Sequence, residues 1–355
     1  VIGEQRGGNI DFGRKLWVVR VRDRVDGRIG IRTVGVCAAL LAVTAVVSIV
    51  AVGTGDLYIP PNEVLAAVFG DAPRLTEIVV MEWRFPRVAL AFLFGAALGV
   101  SGAVFQSLTR NPLGSPDIIG FGTGSYTGAL VVILTLGGGY YRTGAGALVG
   151  GLATAAVVYL LAYRRGVQGF RLIIVGIAVS AVLASVNTWL VIRADLDDAI
   201  AAAVWGAGTL NGLGWSQVGP VLAVSVVIAS CSAVLSRRLP MLEMGDDAAR
   251  ALGVRAEPTR LMLVFLGVAL IAMVTATAGP ISFIALAAPQ LARRLTGTSS
   301  VALMPAACMG ALLLVVSDVV AQRVFAPTQL PVGVVTVSVG GAYFVWLLAR
   351  EGRKQ

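Results

Sequence analysis

Long apolar runs recur along this chain, separated by arginines or by Pro/Gly turns, and no water-soluble core could bury them all. The first, Val34–Val52, is apolar throughout and long enough to cross a bilayer. Nine more follow: Pro86–Leu108, Ile118–Leu136, Gly144–Tyr163, Leu172–Ile192, Val218–Leu235, Leu261–Ala278, a shorter Pro280–Leu295 interrupted by Pro289, Val301–Ala321 and Val332–Ala349. Inside lipid each backbone N–H and C=O must find its partner within the protein, and a helix is the simplest way to do so. The runs therefore predict an all-α, polytopic membrane protein with about ten transmembrane helices. A basic tail, residues 1–33, precedes one membrane domain, residues 34–350. The composition agrees: 57% of residues are hydrophobic, 13% charged, and the mean hydropathy is +0.85.

Ten spans place both termini on one side. On that arrangement only six of the 28 basic residues face the other side: Arg74, Arg84, Arg87, Arg142, Arg193 and Arg323. The remaining 22 lie with the termini, eight of them in the tail between Arg6 and Arg32, with Arg164 and Arg165 as the inner stop of the fourth span. The positive-inside rule then puts both termini in the cytoplasm of a cell bounded by this membrane. The net charge of +9 is thus a record of topology, not a nucleic-acid footprint. Gly53–Phe85 reads as a polar outer segment, and Arg193–Trp215 as a short helix and turn at the outer face. Spans two to five and seven to ten form two blocks separated by one span, so they enter the membrane from opposite faces, as inverted repeats do.

Several chemistries are excluded by what is missing. The chain has no histidine, so imidazole metal sites and His-based acid–base catalysis are ruled out. Its two lysines, Lys15 and Lys354, do not belong to a GxxxxGK[ST] loop, so any nucleotide must be held elsewhere. Cys37, Cys231 and Cys308 lie singly in separate apolar runs and read as small buried residues. Asp318 is the clearest intramembrane acid. A series of such groups would mark a proton relay; a single one reads better as a buried acid paired with Arg323 or with backbone amides. Asn187 and Thr188, polar positions inside the fifth span, are candidates to face a pathway. No pair of residues suits a membrane-embedded enzyme.

Between the sixth and seventh spans lies a charged, helix-shaped island, Leu242–Val254 (LEMGDDAARALGV). Gly245 precedes Asp246 and Asp247, which suit a cap and first turn; Ala248, Ala249, Arg250 and Leu252 favour helix; Gly253 suits a stop. About two turns cannot hold together alone in water. The segment is either a solvated connector or a helix that docks on a partner.

Six stretches together resemble the iron–siderophore and cobalamin permease family of ATP-binding-cassette importers. They are EWRFPR (82–87), GAALGVSGAVFQSLTRNPLGSPDIIG (95–120), FRLIIVGIAVSA (170–181), the 242–254 island, AGPISFIALAAPQLARR (278–294) and QLPVGVVTVSVGG (329–341). Within the family, MGDDAARALGV, NTWL and LNGLGW most resemble the branch that imports ferric enterobactin. The resemblance implies a ten-helix permease subunit, beside a second and non-identical permease, above two ATP-binding subunits that hold ATP and Mg, and beneath an extracytoplasmic siderophore-binding protein. It implies no cofactor or resident metal on this chain, and no enzymatic activity of its own. It makes Glu243–Val254 the helix that couples to the ATPase, and Arg193–Trp215 a gating segment, with Trp205 and Gly206 joining Asn187 and Thr188 as pathway or gate candidates. It also implies that Arg84 and Arg87, with Arg323 as a weaker third, project outward to hold carboxylates of the docked binding protein. Many relatives have histidine where Gln290 stands, so no transport role is assigned there. The alternatives are a cobalamin or haem permease, or an ion-coupled secondary transporter.

Overall fold

The computed structural model describes residues 2–4, 16–21, 24–55, 57–163, 169–298 and 300–352; Arg164 and Arg165 lie outside them. Within the tail, strands β1 (Ile2–Glu4), β2 (Leu16–Val21) and β3 (Arg24–Gly30) form an antiparallel meander in sequence order. The elements after it, among the described residues, are helices: α1 (Ile31–Gly53), α2 (Pro61–Phe69), α3 (Arg74–Glu77), α4 (Phe85–Thr109), α5 (Phe121–Leu136), α6 (Tyr140–Ala162), α7 (Gly169–Arg193), α8 (Leu196–Gly206), α9 (Trp215–Ser236), α10 (Leu239–Glu243), α11 (Asp246–Ala251), α12 (Ala256–Ala278), α13 (Ile284–Thr296), α14 (Leu303–Arg323) and α15 (Val332–Gly352). Each expected span coincides with a helix. Seven are long and apolar enough to cross a membrane, and α5 and the first part of α15 are shorter apolar helices. At 13 residues, α13 reaches only about 20 Å, well short of a bilayer core.

The second span differs from expectation at its start. Helix runs unbroken from Arg74 to Thr109, and Ile78–Arg84 is wound as a π-helix. The reason is Pro86. It has no N–H to give, and the wider turn hands the Phe85 N–H to the Val80 carbonyl. The Met81 carbonyl, one π-turn before Pro86, is taken instead by the Trp215 indole N–H at 2.6 Å. Trp215 also stacks on Phe85, with ring centroids 5.8 Å apart. The proline that marks a helix start in the sequence sits inside a longer helix here.

Helix α4 is the axis, packing on α14, α12, α13 and α9. Its closest partner is α14, because the two backbones touch where side chains are smallest. A Cβ at Gly95 would strike the Gly310 carbonyl, and one at Gly99 would strike that of Ala306. Small residues permit this in lipid, where van der Waals contact replaces the hydrophobic drive. The contacts also follow the exchange of blocks expected of an inverted repeat: α4 packs on α14 and α12 on α6; α5 on α6 and α13 on α14; α4 on α13 and α12 on α5.

In each block one helix is short and starts deep. The sequence reads helix from Ile118 and from Pro280, but α5 begins at Phe121 and α13 at Ile284, each after a residue in left-handed conformation, Gly120 and Phe283. Pro289, inside α13, cannot bond the Ala285 carbonyl. Gly102 of α4 presses against that carbonyl, and Gln106 donates to the next one, Leu286, at 2.9 Å. Of the cysteines, Cys308 is buried, Cys37 half-buried and Cys231 exposed on the outside of α9, so burial holds for only one in full.

Gly99→Leu should force α4 and α14 apart and lower stability by about 1–3 kcal/mol or more, read as a fall in melting temperature of the detergent-solubilised protein. Gly35→Leu, at an exposed site on α1 with open space around it, should leave the melting temperature unchanged. Equal melting for both variants would remove the glycine contact from the account of the fold.

Candidate functional site

Three places assemble the residues singled out by the sequence. The first is the 242–254 segment, on the face that also carries Arg110, Arg237, Arg238, Arg255, Arg293 and Arg294 and is called the basic face below. The structure splits the segment into α10 and α11. Gly245, at φ 118°, forms the joint and N-cap, Asp246 and Asp247 fill the first turn, and Gly253 at φ 80° ends it, as the sequence indicates. The segment is not without a seat on its own chain. Ala249 is fully buried in the main apolar core, and the Glu243 carboxylate accepts from the Val301 N–H. Asp246 accepts from Arg260 at 2.5 Å and Arg110 at 2.9 Å, while Arg110 Nε also donates to the Leu242 carbonyl. Partial burial alone would raise the Asp246 carboxyl, but the Arg260 hydrogen bond and charge, with Arg110 and Arg250, hold it below the ordinary carboxylate value. What α11 leaves outward is Asp247, Arg250 and Leu252, beside Met244. Ala249, expected at a partner surface, faces inward because a two-turn helix needs one side to rest on.

The second place is a cavity of about 530 Å³ between α5, α7, α8, α12 and the chain leading into α13. Asn187, Thr188 and Gly206 line it, with Thr123, Tyr126, Thr275 and Ser282. Trp205 stacks on Tyr126, centroids 6.2 Å apart and planes nearly parallel, and a side chain at Gly206 would collide with the same ring. Helix α8 is held over the break before α13: the Thr209 N–H donates to the Ala278 carbonyl at 2.7 Å, and the Gly333 N–H to Gly208 at 3.0 Å. Among the described residues the acid in the lining is Asp117, whose carboxyl accepts from the Phe283 N–H at 3.2 Å. Asn187 donates to the Thr123 carbonyl, and its own Oδ1 has no partner among the described residues. Asp117 and Ser282 carry no assignment in the sequence reading. An acid behind two prolines and ahead of a glycine-rich helix start is the signal that could have found Asp117.

The third place is the opposite face. Arg84 and Arg87 do not project outward. Arg84 donates to the carbonyls of Val52 at 2.7 Å and Leu57 at 2.6 Å, with Gly55 giving it room. Arg87 grips Asp318 through Nε and Nη2 (2.9–3.2 Å) and gives Nη1 to Gln329. So the partner of Asp318 is Arg87, not Arg323, with Gln322 as a second donor. The reason is burial: only 2% of the Asp318 side chain is exposed, and a carboxylate there needs a fixed cation. Arg84 and Arg87 still line a depression of about 640 Å³ with Glu82, Trp83, Gln322 and Gln329. Arg323 is exposed in the last turn of α14, where the helix dipole favours a cation.

The chain matches the FecCD transport family over residues 40–350. It is 50% identical over 319 residues to the ferric enterobactin transport system permease protein FepG of Escherichia coli K12, covering 90% of this chain and 97% of that one. A Bacillus subtilis Fe(3+)-citrate import system permease, YfmE, is 34% identical over 318 residues, 89% of this chain and 95% of the relative. Among solved structures, a metal-chelate type ABC transporter in an inward-facing conformation superposes with a TM-score of 0.79 at 26% identity, covering 89% of this chain and 99% of that chain.

Arg87→Gln should strand the buried Asp318 charge and cost about 3–5 kcal/mol. The double variant Arg87→Gln/Asp318→Asn should recover most of that loss in denaturant unfolding. Single and double variants of equal stability would mean that the ion pair does not hold α4 to α14.

Proposed function

The chain belongs to the FecCD transport family, and on that footing we propose that it is the membrane subunit of an ATP-driven importer of ferric siderophores of the enterobactin, catecholate type. The observation that carries this reading is the 50% identity, over nearly the whole of both chains, to a ferric enterobactin permease. The cavity supports it. Its volume lies within the range of small-molecule sites, roughly 300–1,000 Å³, and its polar lining is hydroxyls, an amide and the Asp117 acid, with no cation among the described residues. A pathway must bind its cargo weakly enough to release it.

In this reading a second, non-identical permease completes the pathway. Two ATP-binding subunits hold ATP and Mg and press on the outward side of α11. An extracytoplasmic siderophore-binding protein docks on the opposite face, over the depression at Arg84 and Arg87 and beside exposed Arg323. The chain carries out no bond chemistry itself. It sits in the cytoplasmic membrane with the basic face inward, as the distribution of arginines favours.

Proteoliposomes holding the permease pair, the ATP-binding subunits and the binding protein should take up radioiron as ferric enterobactin only when ATP is inside. Competition by cobalamin or haem would favour those permeases instead, and uptake that survives ATP depletion but collapses with an ion gradient would make this a secondary carrier. In the same system Leu252→Glu should weaken capture of the ATP-binding subunits without lowering the amount of permease inserted. Ala249→Glu, which buries a charge inside this chain, should lower the amount of folded permease.

For orientation, cysteines introduced at Gly138 and Gly245 in intact cells should differ. Gly138 should react with an impermeant thiol reagent added outside, and Gly245 should not. The reverse pattern would turn the topology over.

A further inference from the structure

The geometry points to the turn 110–117, RNPLGSPD, as the transmission that carries movement of α11 to α13 and to the deep end of the cavity; this rests on the importer reading above. One end of the turn is fastened to the ATPase side. Arg110 bonds both the Asp246 carboxylate of α11 and the Leu242 carbonyl of α10. The other end is fastened to the pathway, where Asp117 lines the cavity and accepts the Phe283 N–H at the start of α13. A third tie lies between them, as Gln290 of α13 donates to the Pro112 carbonyl at 2.8 Å. Thus α13 is held by the turn at two points, the residue that caps its start and its middle.

A transmission must be stiff, and this one is. Pro112 and Pro116 fix two φ angles. Asn111 Oδ1 accepts the Leu113 N–H at 2.9 Å, and the Asn111 carbonyl accepts the Gly114 N–H at 2.9 Å. The carbonyls of Ser115, Pro116 and Asp117 accept from Ile119, Phe121 and Gly120, which joins the turn rigidly to α5. Ser115 and Ile119 are fully buried. The segment can shift as a body but has few ways to bend.

Its two attachment points are also where the backbone is strained. Among the described residues, the non-glycine positions with positive φ are Arg110 at 50° and Phe283 at 71°. Left-handed conformation in such residues is held only by its surroundings and gathers where segments switch. Here it falls at the joint with α11 and at the joint with α13. Pro280, Ile281 and Ser282, just ahead of Phe283, line the cavity, so any displacement of α13 alters the wall that cargo meets. Arg110 and Asp117 are therefore positioning residues: they act through α13 and need not touch the cargo.

The test uses the full complex in nanodiscs, with Cys37, Cys231 and Cys308 replaced by serine and spin labels on cysteines introduced at Thr123 and Ser282, one in each block. In this parent, trapping with ATP and vanadate should change the distance between the labels. Arg110→Gln should abolish that change and lower siderophore uptake per ATP hydrolysed by about tenfold, within the range of measured allosteric couplings. Arg110→Lys, which keeps the charge beside Asp246, should restore most of both. A residue that merely stabilised the fold would not freeze the label distance in a complex that still hydrolyses ATP. Should Arg110→Gln reduce the folded permease, Gln290→Leu cuts the tie between the two ends and should give the same frozen distance. A normal nucleotide-driven change in both variants overturns the transmission while leaving the importer reading intact. A parent with no ATP-dependent change and no uptake overturns both.

Discussion

Backbone contact between α4 and α14 is the interaction on which the rest of the bundle depends. Gly95 and Gly99 let the two helices meet without intervening side chains, and Gly310 does the same from the other side. In lipid, apolar side chains gain nothing by leaving one hydrocarbon surface for another, so close packing must supply the cohesion. Because α4 lies this close to α14, it can also reach α12, α13 and α9. The Arg87–Asp318 ion pair closes the same seam at the opposite face. An ion pair with 13% and 2% of its side chains exposed specifies how two helices align more than it adds net stability.

That seam makes room for two helices that start late. Both α5 and α13 begin within the protein, which a membrane tolerates only where other protein or a polar cavity satisfies the freed backbone. At α13 two of these groups have side-chain partners and a third is closely packed. The Phe283 N–H has Asp117, the Leu286 carbonyl has Gln106, and the carbonyl orphaned by Pro289 lies against Gly102. The cavity opens beside these two helix starts, between the blocks of the repeat, where the bundle has the fewest continuous helices. Cavity and fold are therefore one arrangement: α13, whose leading segment forms part of the cavity wall, draws a hydrogen bond from Gln106 of α4.

On the basic face the same logic applies in water. Helices α10 and α11 are too short to persist alone, and they are retained by an apolar seat at Ala249 and by the charges around Asp246. Asp246 is shared by Arg110 from the end of α4 and Arg260 from α12, so the segment is tied to one helix of each block. The segment is thus joined to both blocks through side chains that are already engaged.

Long apolar runs determined that this chain is a helical membrane protein and where its spans lie, and the Gly245, Asp246 and Gly253 signals placed the start and stop of α11, because those features depend on local propensity and on solvent. The motif runs determined the family for the same reason: they are contiguous. Tertiary structure alone decided which charges meet. Arg87 and Asp318 are 231 residues apart, Arg110 and Asp246 are 136, and nothing local distinguishes an arginine that projects from one that folds inward. It also decided where helices truly start. A proline reads as a boundary in sequence, yet the Trp215 indole let the helix run through Pro86, and the Asp117 carboxylate bonded the backbone at Phe283, just before the late start of α13. In each case a distant side chain supplied the hydrogen bond that the local chain lacked, and only the folded bundle brings that side chain within reach.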